Sequence, residues 1–417
     1  MPIDLRLLFS LLAKSIFQSQ ATVARLGKRR ILFLIIFVFV WPLYQLITWF
    51  FLGLDEIFFP GYRKQAIVKP LFIIGNFRSG STFLHRLLSR DQRTFTSMRT
   101  ADIFLMPSVT QRKIFRFFSF LDNRLGAPVN KTIRGVDDKS LGKVRIHKIG
   151  MFEPEEDENI LLHIFSTFFV SFLFPFLEDL PPFVKFDEEM PEKDKIRIMR
   201  FYRGCVQRHL FAHGGQIHFV SKSPANSSKV LALRKTFPDC RIIYLARDPA
   251  EMVPSTISWL SYAWGIFNDT QGRYINQPQI LQISKYWFSY PLRVIDELDS
   301  AQCKIMEYQA LIDQPEDCIR AIYSDFGYPE NSGLRKTIKR AVEETKSFLS
   351  EHHYDLASVG IEKGQIDQIF SEEYSRFGFQ NNHARHTTVT TQRNSVGSED
   401  QKKKGDIAAL SAPQVNR

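Results

Sequence analysis

Residues 70–91, PLFIIGNFRSGSTFLHRLLSRD, constrain the fold of this chain more than any other stretch. A short apolar run is followed by a turn bounded by Gly75 and Gly80, and then by a helical pattern. In a strand–turn–helix unit, backbone N–H groups and the positive end of the helix dipole can surround an anion. The turn adds side-chain donors at Arg78, Ser79, Ser81 and Thr82. The stretch therefore predicts a phosphate-binding loop over residues 75–82.

The spacing of this loop is that of the nucleotide-binding sequence G-x-x-x-x-G-K-[ST], but Ser81 occupies the lysine position. A kinase or ATPase needs that lysine against the β- and γ-phosphates and a magnesium ion held by a second acidic motif. Neither feature is evident in the sequence. The absence of the lysine argues against ATP. The cationic residue of this loop is Arg78, three positions earlier, which indicates a different nucleotide.

The loop sequence FRSGSTFLHRLL resembles the 5′-phosphosulfate loop of sulfotransferases that use 3′-phosphoadenosine 5′-phosphosulfate, or PAPS. In that family the loop usually reads P-[RK]-S-G-[ST]-T before a leucine-rich helix, and here Phe77 replaces the proline. The resemblance implies that Arg78 and the loop residues Ser79, Gly80, Ser81 and Thr82 bind the 5′-phosphosulfate. A purely structural Gly/Ser-rich turn is the alternative interpretation.

A second strand–turn–helix unit lies in residues 237–260, FPDCRIIYLARDPAEMVPSTISWL. In the family, an arginine that ends this strand and a serine eight residues later bind the 3′-phosphate, and they correspond to Arg247 and Ser255. A guanidinium fork suits a phosphate dianion, and a hydroxyl on the following helix can complete its binding shell. A surface salt bridge from Arg247 to Asp248 or Glu251 is the alternative.

Lys222 follows a third predicted strand, which ends near Val220. The resemblance makes Lys222 a stabiliser of the bridging oxygen or the sulfuryl group, whereas a solvated strand end is the structural alternative. Cytosolic members carry a catalytic histidine two residues later, and this chain has Pro224 there. A general base must therefore come from elsewhere. The candidates are Asp102, His147, Glu153, Glu155 and Glu156, although the acidic run EPEEDE could equally be a charged helix start.

Further blocks at residues 152–162, 306–328 and 352–379 are similar to a broad branch of bacterial and Golgi-type carbohydrate or lipid sulfotransferases. The match covers residues 70–379. It implies in-line transfer of a sulfuryl group from PAPS to a hydroxyl or amine of a glycan, lipid or other acceptor, without a metal. Two other functions stay open, a P-loop kinase or nucleotide hydrolase and a non-catalytic nucleotide-binding protein.

Strands are predicted at residues 71–75, 218–221, 241–245 and 304–307, separated by helical patterns. This order predicts an α/β fold with a P-loop-like parallel sheet flanked by helices. We expect a basic amphipathic segment at residues 1–30, a membrane anchor at 31–53, a catalytic domain at 68–380 and a disordered polar tail at 381–417. The four cysteines form no metal pattern and are expected to be core thiols.

Residues 31–52 form an apolar run of about the length needed to cross a bilayer, preceded by a basic flank. A single N-terminal anchor would leave the catalytic domain cytoplasmic in a bacterium or in the Golgi lumen of a eukaryote. Pro42, Gln45 and Thr48 also allow a segment that stays in one leaflet, and a buried core helix is the remaining alternative. A second apolar run at residues 160–177 is interpreted as a buried helix or lid.

The net charge of +11 suits an anionic cofactor or an anionic membrane surface. The sequence lacks a recognition helix, a zinc finger and an Arg-rich repeat, so a nucleic-acid partner is not expected.

Overall fold

The structure, a computed structural model, describes residues 3–128, 131, 150–270, 273–299, 301–330, 333–346 and 356–379. His147 and the predicted tail at 381–417 lie outside these ranges. The chain divides into two compact units, residues 1–362 and 363–417. In the second unit the described elements are two short helices, Lys363–Ile369 and Ser371–Phe377.

Five parallel strands form the sheet of the first unit in the order β2-β3-β1-β4-β5. They are β1 (Leu71–Gly75), β2 (Phe95–Thr96), β3 (His218–Lys222), β4 (Arg241–Ala246) and β5 (Cys303–Glu307). The central strand β1 pairs with β3 through Ile73 and Lys222, and with β4 through Gly75 and Leu245. Ligands of open parallel sheets bind at the carboxyl ends of the strands, where the strand order reverses. Here that place is the end of β1.

Helices cover both faces of the sheet, as the predicted α/β fold requires. In chain order the helices of the first unit are α1 (Leu5–Phe17), α2 (Lys28–Phe58), α3 (Ser81–Ser89), α4 (Thr100–Phe104), α5 (Val109–Arg124), α6 (Val170–Leu173), α7 (Pro181–Val184), α8 (Phe186–Glu189), α9 (Glu192–Ala212), α10 (Val230–Thr236), α11 (Pro249–Phe267), α12 (Gln277–Asp296), α13 (Tyr308–Asp313), α14 (Pro315–Phe326) and α15 (Leu334–Lys346). Short 3₁₀ segments occupy Ser19–Ala21, Pro60–Lys64, Asp157–Ile164, Leu177–Asp179, Pro224–Ser228 and Ala357–Val359.

The core follows from the alternation of side chains along the strands. Leu71 and Ile73 of β1 pack on one face with the leucines of α3 and with apolar residues of α14 and α15. Phe72 contacts Phe237 at a ring-centroid distance of 5.3 Å on the opposite face. Strand β1 is buried at every residue, which explains its uninterrupted apolar sequence.

The four strands expected from the sequence are confirmed to within one residue at each end. Strand β2 was missed because it contains only two residues. A single helix at residues 160–177 was wrong, although most of that segment is buried. Phe165 has a φ of 51° and ends the 3₁₀ segment, and Thr167 bonds to Glu158 and to the backbone of Phe169. These local hydrogen bonds compete with a continuous helix.

The N-terminal apolar run lies inside α2, which has 31 residues. Among the described residues, α2 is the one helix long and apolar enough to cross a membrane. Only 22% of its most apolar stretch is buried, so α2 is not a core helix of the domain. The cysteines are free thiols, and Cys205, Cys240 and Cys303 are buried as expected.

Candidate active site

The loop between β1 and α3 contains three residues with a positive φ. Gly75, Arg78 and Gly80 have φ angles of 146°, 64° and 90°. A Cβ atom at Gly75 would lie 2.7 Å from the carbonyl oxygen of Leu245, and one at Gly80 would lie 2.3 Å from the ring of Tyr308. Both positions therefore require glycine. Successive N–H groups in such a turn form an anion-binding concavity next to the N-terminus of α3.

Two serine residues of the loop, Ser79 and Ser81, are buried. The Ser79 Oγ is buried and has no hydrogen-bond partner within the part of the chain that the structure describes. Ser81 begins α3 and is also buried, and Thr82 follows it. A buried hydroxyl without a partner costs free energy unless a ligand or water satisfies it. The loop thus fits a group with several acceptor oxygens.

Phe77 stands where the resembling family has proline, and its ring is held by aromatic neighbours. Trp259 and Trp287 lie 5.3 and 5.6 Å from it, centroid to centroid, and Phe168 lies 6.1 Å away. Phe77 is 6% exposed. Packing against these rings restrains the loop in place of the fixed φ of proline.

The two predicted phosphate motifs are joined by hydrogen bonds across the ends of β1 and β4. Arg78 donates from Nε to the Ser255 Oγ at 2.9 Å, and Arg247 donates from Nη1 to the Arg78 carbonyl oxygen at 2.8 Å. Arg247 also pairs with Glu251 at 3.0 Å and lies 4.2 Å from the centroid of the Tyr308 ring. Arg78 from the first motif therefore forms one cluster with Arg247 and Ser255 from the second.

Lys222 is not a solvated strand end, because it is 1% exposed. Its Nζ donates to the Glu156 Oε1 at 2.7 Å. Its backbone N–H donates to the Asp157 Oδ1 at 3.1 Å. Burial raises the pKa of Glu156 to about 7, against the opposing effect of Lys222. A buried carboxyl group with a pKa in this range can exchange a proton near neutral pH.

The rest of the acidic run is bound to structural partners. Burial raises the pKa of Asp157 to about 6, and this carboxylate accepts a hydrogen bond from the Tyr202 hydroxyl. Glu158 pairs with Lys229 and accepts from Thr167. These contacts fix the segment that carries Glu156.

The other candidate bases lie in different environments. Asp102 accepts a hydrogen bond at 3.0 Å from the N–H of Arg99, the N-cap residue of α4, and lies 3.7 Å from the Arg112 guanidinium, so its carboxylate stabilises the start of this helix. Glu155 accepts from the Glu156 N–H at 3.0 Å. Glu153 lines a cavity of about 330 Å³ whose other lining residues include Arg86, Arg90 and Arg99. The structure brings Glu156, and none of these three, into a hydrogen bond with Lys222.

Three neighbours of the site were not singled out from the sequence. Tyr308 covers both Gly80 and Arg247, and Asp157 and Tyr202 hold the backbone next to Lys222. Tyr308 directly follows β5, and a polar or aromatic residue at the carboxyl end of a parallel strand is the signal that could have identified it. Among the described residues, no group of three or more His, Cys, Asp or Glu side chains could hold a metal ion.

Comparisons with known proteins give the family and the fold of the chain. A model of the sulfotransferase family matches residues 70–332. The chain is 23% identical over 326 residues to omega-hydroxy-beta-dihydromenaquinone-9 sulfotransferase Stf3 of Mycobacterium bovis and of Mycobacterium tuberculosis. That alignment covers 74% of this chain and 75% of the relative.

Two solved structures share the fold. The sulfotransferase STF1 of Mycobacterium tuberculosis superposes with a TM-score of 0.62 at 18% identity, covering 88% of this chain and 92% of that one. STF9 of Mycobacterium avium gives a TM-score of 0.62 at 18% identity, with 78% and 80% covered. Because the family model spans more than half of the sequence, the chain belongs to the sulfotransferase family and is an enzyme of sulfuryl transfer.

Proposed function

We propose that the sulfuryl donor is PAPS, bound with its 5′-phosphosulfate in the loop at residues 75–82 and its 3′-phosphate at Arg247 and Ser255. The observation that carries this proposal is the bonded series Arg247, Arg78 and Ser255. These hydrogen bonds connect the loop at residues 75–82 to the second site at Arg247 and Ser255. A donor with two separate phosphate groups requires two such neighbouring sites. Sulfotransferases generally use this donor.

Melting temperatures of the purified protein test the donor. Adenosine 3′,5′-bisphosphate, the product of donor cleavage, should stabilise the protein by mass action, and magnesium-ATP should do so much less because Ser81 replaces the P-loop lysine. Equal or greater stabilisation by magnesium-ATP would overturn the assignment and favour a kinase-like nucleotide site.

We infer that Glu156 is the general base and Lys222 the cation that stabilises the leaving oxygen. The acceptor hydroxyl gives its proton to Glu156, its oxygen bonds to sulfur, and the bond from sulfur to the phosphate oxygen breaks. Positioning and charge stabilisation carry most of the catalysis in such a loose transition state. The 2.7 Å contact between the two side chains supports this pairing, since it places a proton acceptor beside the leaving-group cation.

The acceptor we propose is a hydroxyl group on a membrane lipid, and residues 31–53 hold the enzyme on that membrane. The named substrate of the relative Stf3, a hydroxylated menaquinone, supports the lipid class. The outward apolar surface of α2 supports the location. Incubation with radiolabelled PAPS and separated lipid and glycan extracts tests the acceptor. Label that enters only glycans would refute a lipid acceptor.

A further inference from the structure

Helix α2 has its polar and apolar faces reversed relative to a helix on a water-soluble domain. Its polar side chains Arg30, Gln45, Thr48 and Asp55 are at most 4% exposed and face the protein. Large apolar side chains occupy the outward face and are exposed at Leu32 (59%), Phe39 (74%), Leu43 (58%), Leu46 (68%) and Phe50 (59%). A continuous apolar surface of this kind is unfavourable in water, so it indicates an apolar environment on the outer side.

The inward polar contacts attach α2 to the rest of the first unit along its whole length. Near the start, Arg30 donates to the Leu173 carbonyl oxygen at 2.7 Å and to the Ser15 Oγ at 2.7 Å. In the middle, the Tyr44 hydroxyl donates to the Phe104 carbonyl oxygen at 2.6 Å. The C-terminal end of the helix is hydrogen-bonded to the domain as well.

At that end, Asp55 accepts hydrogen bonds from the Val109 N–H at 2.8 Å and from the Arg208 Nε at 3.0 Å. Arg30 and Asp55 are about 37 Å apart along the helix axis, which exceeds the hydrocarbon thickness of about 30 Å. Because Tyr44 lies near the middle of α2, a docked α2 that crossed the bilayer would draw the end of the five-residue helix α4 at Phe104, and the turn after it, into hydrocarbon, where lipid-exposed irregular backbone does not occur.

Cations lie near both ends of the helix. Arg25 and Lys28 are exposed at its start. Near its end, a cavity of about 500 Å³ between α2 and α9 is lined by Trp49 together with Lys193 and Arg200. Tryptophan and cationic side chains favour the headgroup region of anionic membranes. Headgroup contacts at both ends fit a helix that lies along one leaflet.

We propose that α2 lies in the plane of an anionic membrane with its outward face in one leaflet, so that both helix ends and the catalytic domain are on the same side. This geometry rests on the membrane association proposed above. It also places the active site near the lipid surface, because α11 carries Ser255 and, about 15 Å further along its axis, Gly265, whose carbonyl oxygen accepts from Arg29.

The first experiment measures binding to vesicles of phosphatidylcholine and phosphatidylglycerol. Leu46→Glu places a charge on the outward face, whereas Leu231→Glu makes the same change at a 49% exposed position on α10. Leu46→Glu should weaken vesicle binding by about tenfold or more with an unchanged melting temperature, and Leu231→Glu should bind as the parent does. The proposal would be overturned if the parent protein did not bind vesicles but formed a dimer, and if Leu46→Glu dissociated that dimer. The outward face of α2 would then join two copies of the protein.

The second experiment separates an in-plane helix from a crossing one. Single cysteines replace the exposed residues Gln20 and Lys64, on either side of α2, in a full-length chain that carries Cys318→Ser. A membrane-impermeant maleimide is applied to intact expressing cells and to opened membranes. Within each preparation, the cysteines at positions 20 and 64 should be labelled to the same extent as each other. Labelling of one site in intact cells and of the other only after opening would refute the in-plane geometry while leaving the membrane association intact.

Discussion

Replacing Arg247 with alanine should separate donor binding from folding. The guanidinium of Arg247 donates to the Arg78 carbonyl oxygen, pairs with Glu251 and packs on the Tyr308 ring, and its side chain is 23% exposed. In the proposed complex it also contacts the 3′-phosphate. The variant removes the partner of a dianion while leaving both strands and the loop glycines in place.

The affinity for the bisphosphate should fall while the fold is retained. One charge-assisted hydrogen bond to a phosphate contributes about 1.5–3 kcal/mol, so the affinity for adenosine 3′,5′-bisphosphate should fall about 10- to 150-fold. In the free protein, the partly exposed pair with Glu251 contributes about 0.3–0.5 kcal/mol, the ring contact about 0.5–1 kcal/mol and the hydrogen bond to the Arg78 carbonyl oxygen about 0.5–1.5 kcal/mol. The melting temperature of the ligand-free variant should therefore fall by no more than a few degrees.

Isothermal titration calorimetry of the parent and the variant gives the affinities, and thermal unfolding without ligand gives the stability. Arg293→Ala is a matched control, because Arg293 pairs with Glu188 at 2.5 Å and lies 5.6 Å from the centroid of the Tyr290 ring, outside both phosphate motifs. It should bind the bisphosphate as the parent does. Parental affinity in Arg247→Ala would show that the 3′-phosphate assignment is wrong.

Two further variants test the base and the docking of α2. Because only the carboxylate can accept a proton and burial raises the pKa of Glu156 to about 7, kcat/KM should fall as the pH drops below that value. Glu156→Gln should lower kcat about a hundredfold or more and abolish this acidic limb, and an unchanged pH–rate profile would exclude Glu156 as the base. Asp55→Ala removes one of the two carboxylates that pair with Arg208 and leaves the Val109 and Thr110 N–H groups at the start of α5 without their acceptor, so chemical denaturation should show a loss of about 2–4 kcal/mol. A loss below about 1 kcal/mol would mean that α2 is not docked as described.

The parallel sheet could be predicted because its strands carry a local signal. Each main strand is a short apolar run that ends in a turn, and burial on both faces makes such runs nearly continuous. The loop at Gly75 and Gly80 could be predicted from the spacing of its glycines, because the backbone conformation and the close approach of Leu245 and Tyr308 restrict the residue type there. For the strands and for this loop, residue type at a fixed spacing was enough to predict the local structure.

Other features depend on contacts between residues far apart in sequence. The pairing of Lys222 with Glu156 joins residues 66 positions apart. This contact distinguishes Glu156 from its acidic neighbours, and it exists only when the acidic segment is packed against β3 in the folded protein. The two faces of α2 were hidden for a similar reason, because the apolar run is almost uninterrupted. Only the partners of Arg30, Tyr44 and Asp55 reveal which side faces the domain.

The most direct experiment measures transfer of the sulfuryl group itself. Purified full-length protein is incubated with radiolabelled PAPS and a membrane lipid extract, and the lipid fraction is separated and counted. Protein-dependent label in a lipid product is expected, together with its loss in Arg78→Ala, which removes a charge from the proposed phosphosulfate loop. Transfer of phosphate from labelled ATP under the same conditions, with no transfer from PAPS to any extract, would contradict the proposed function.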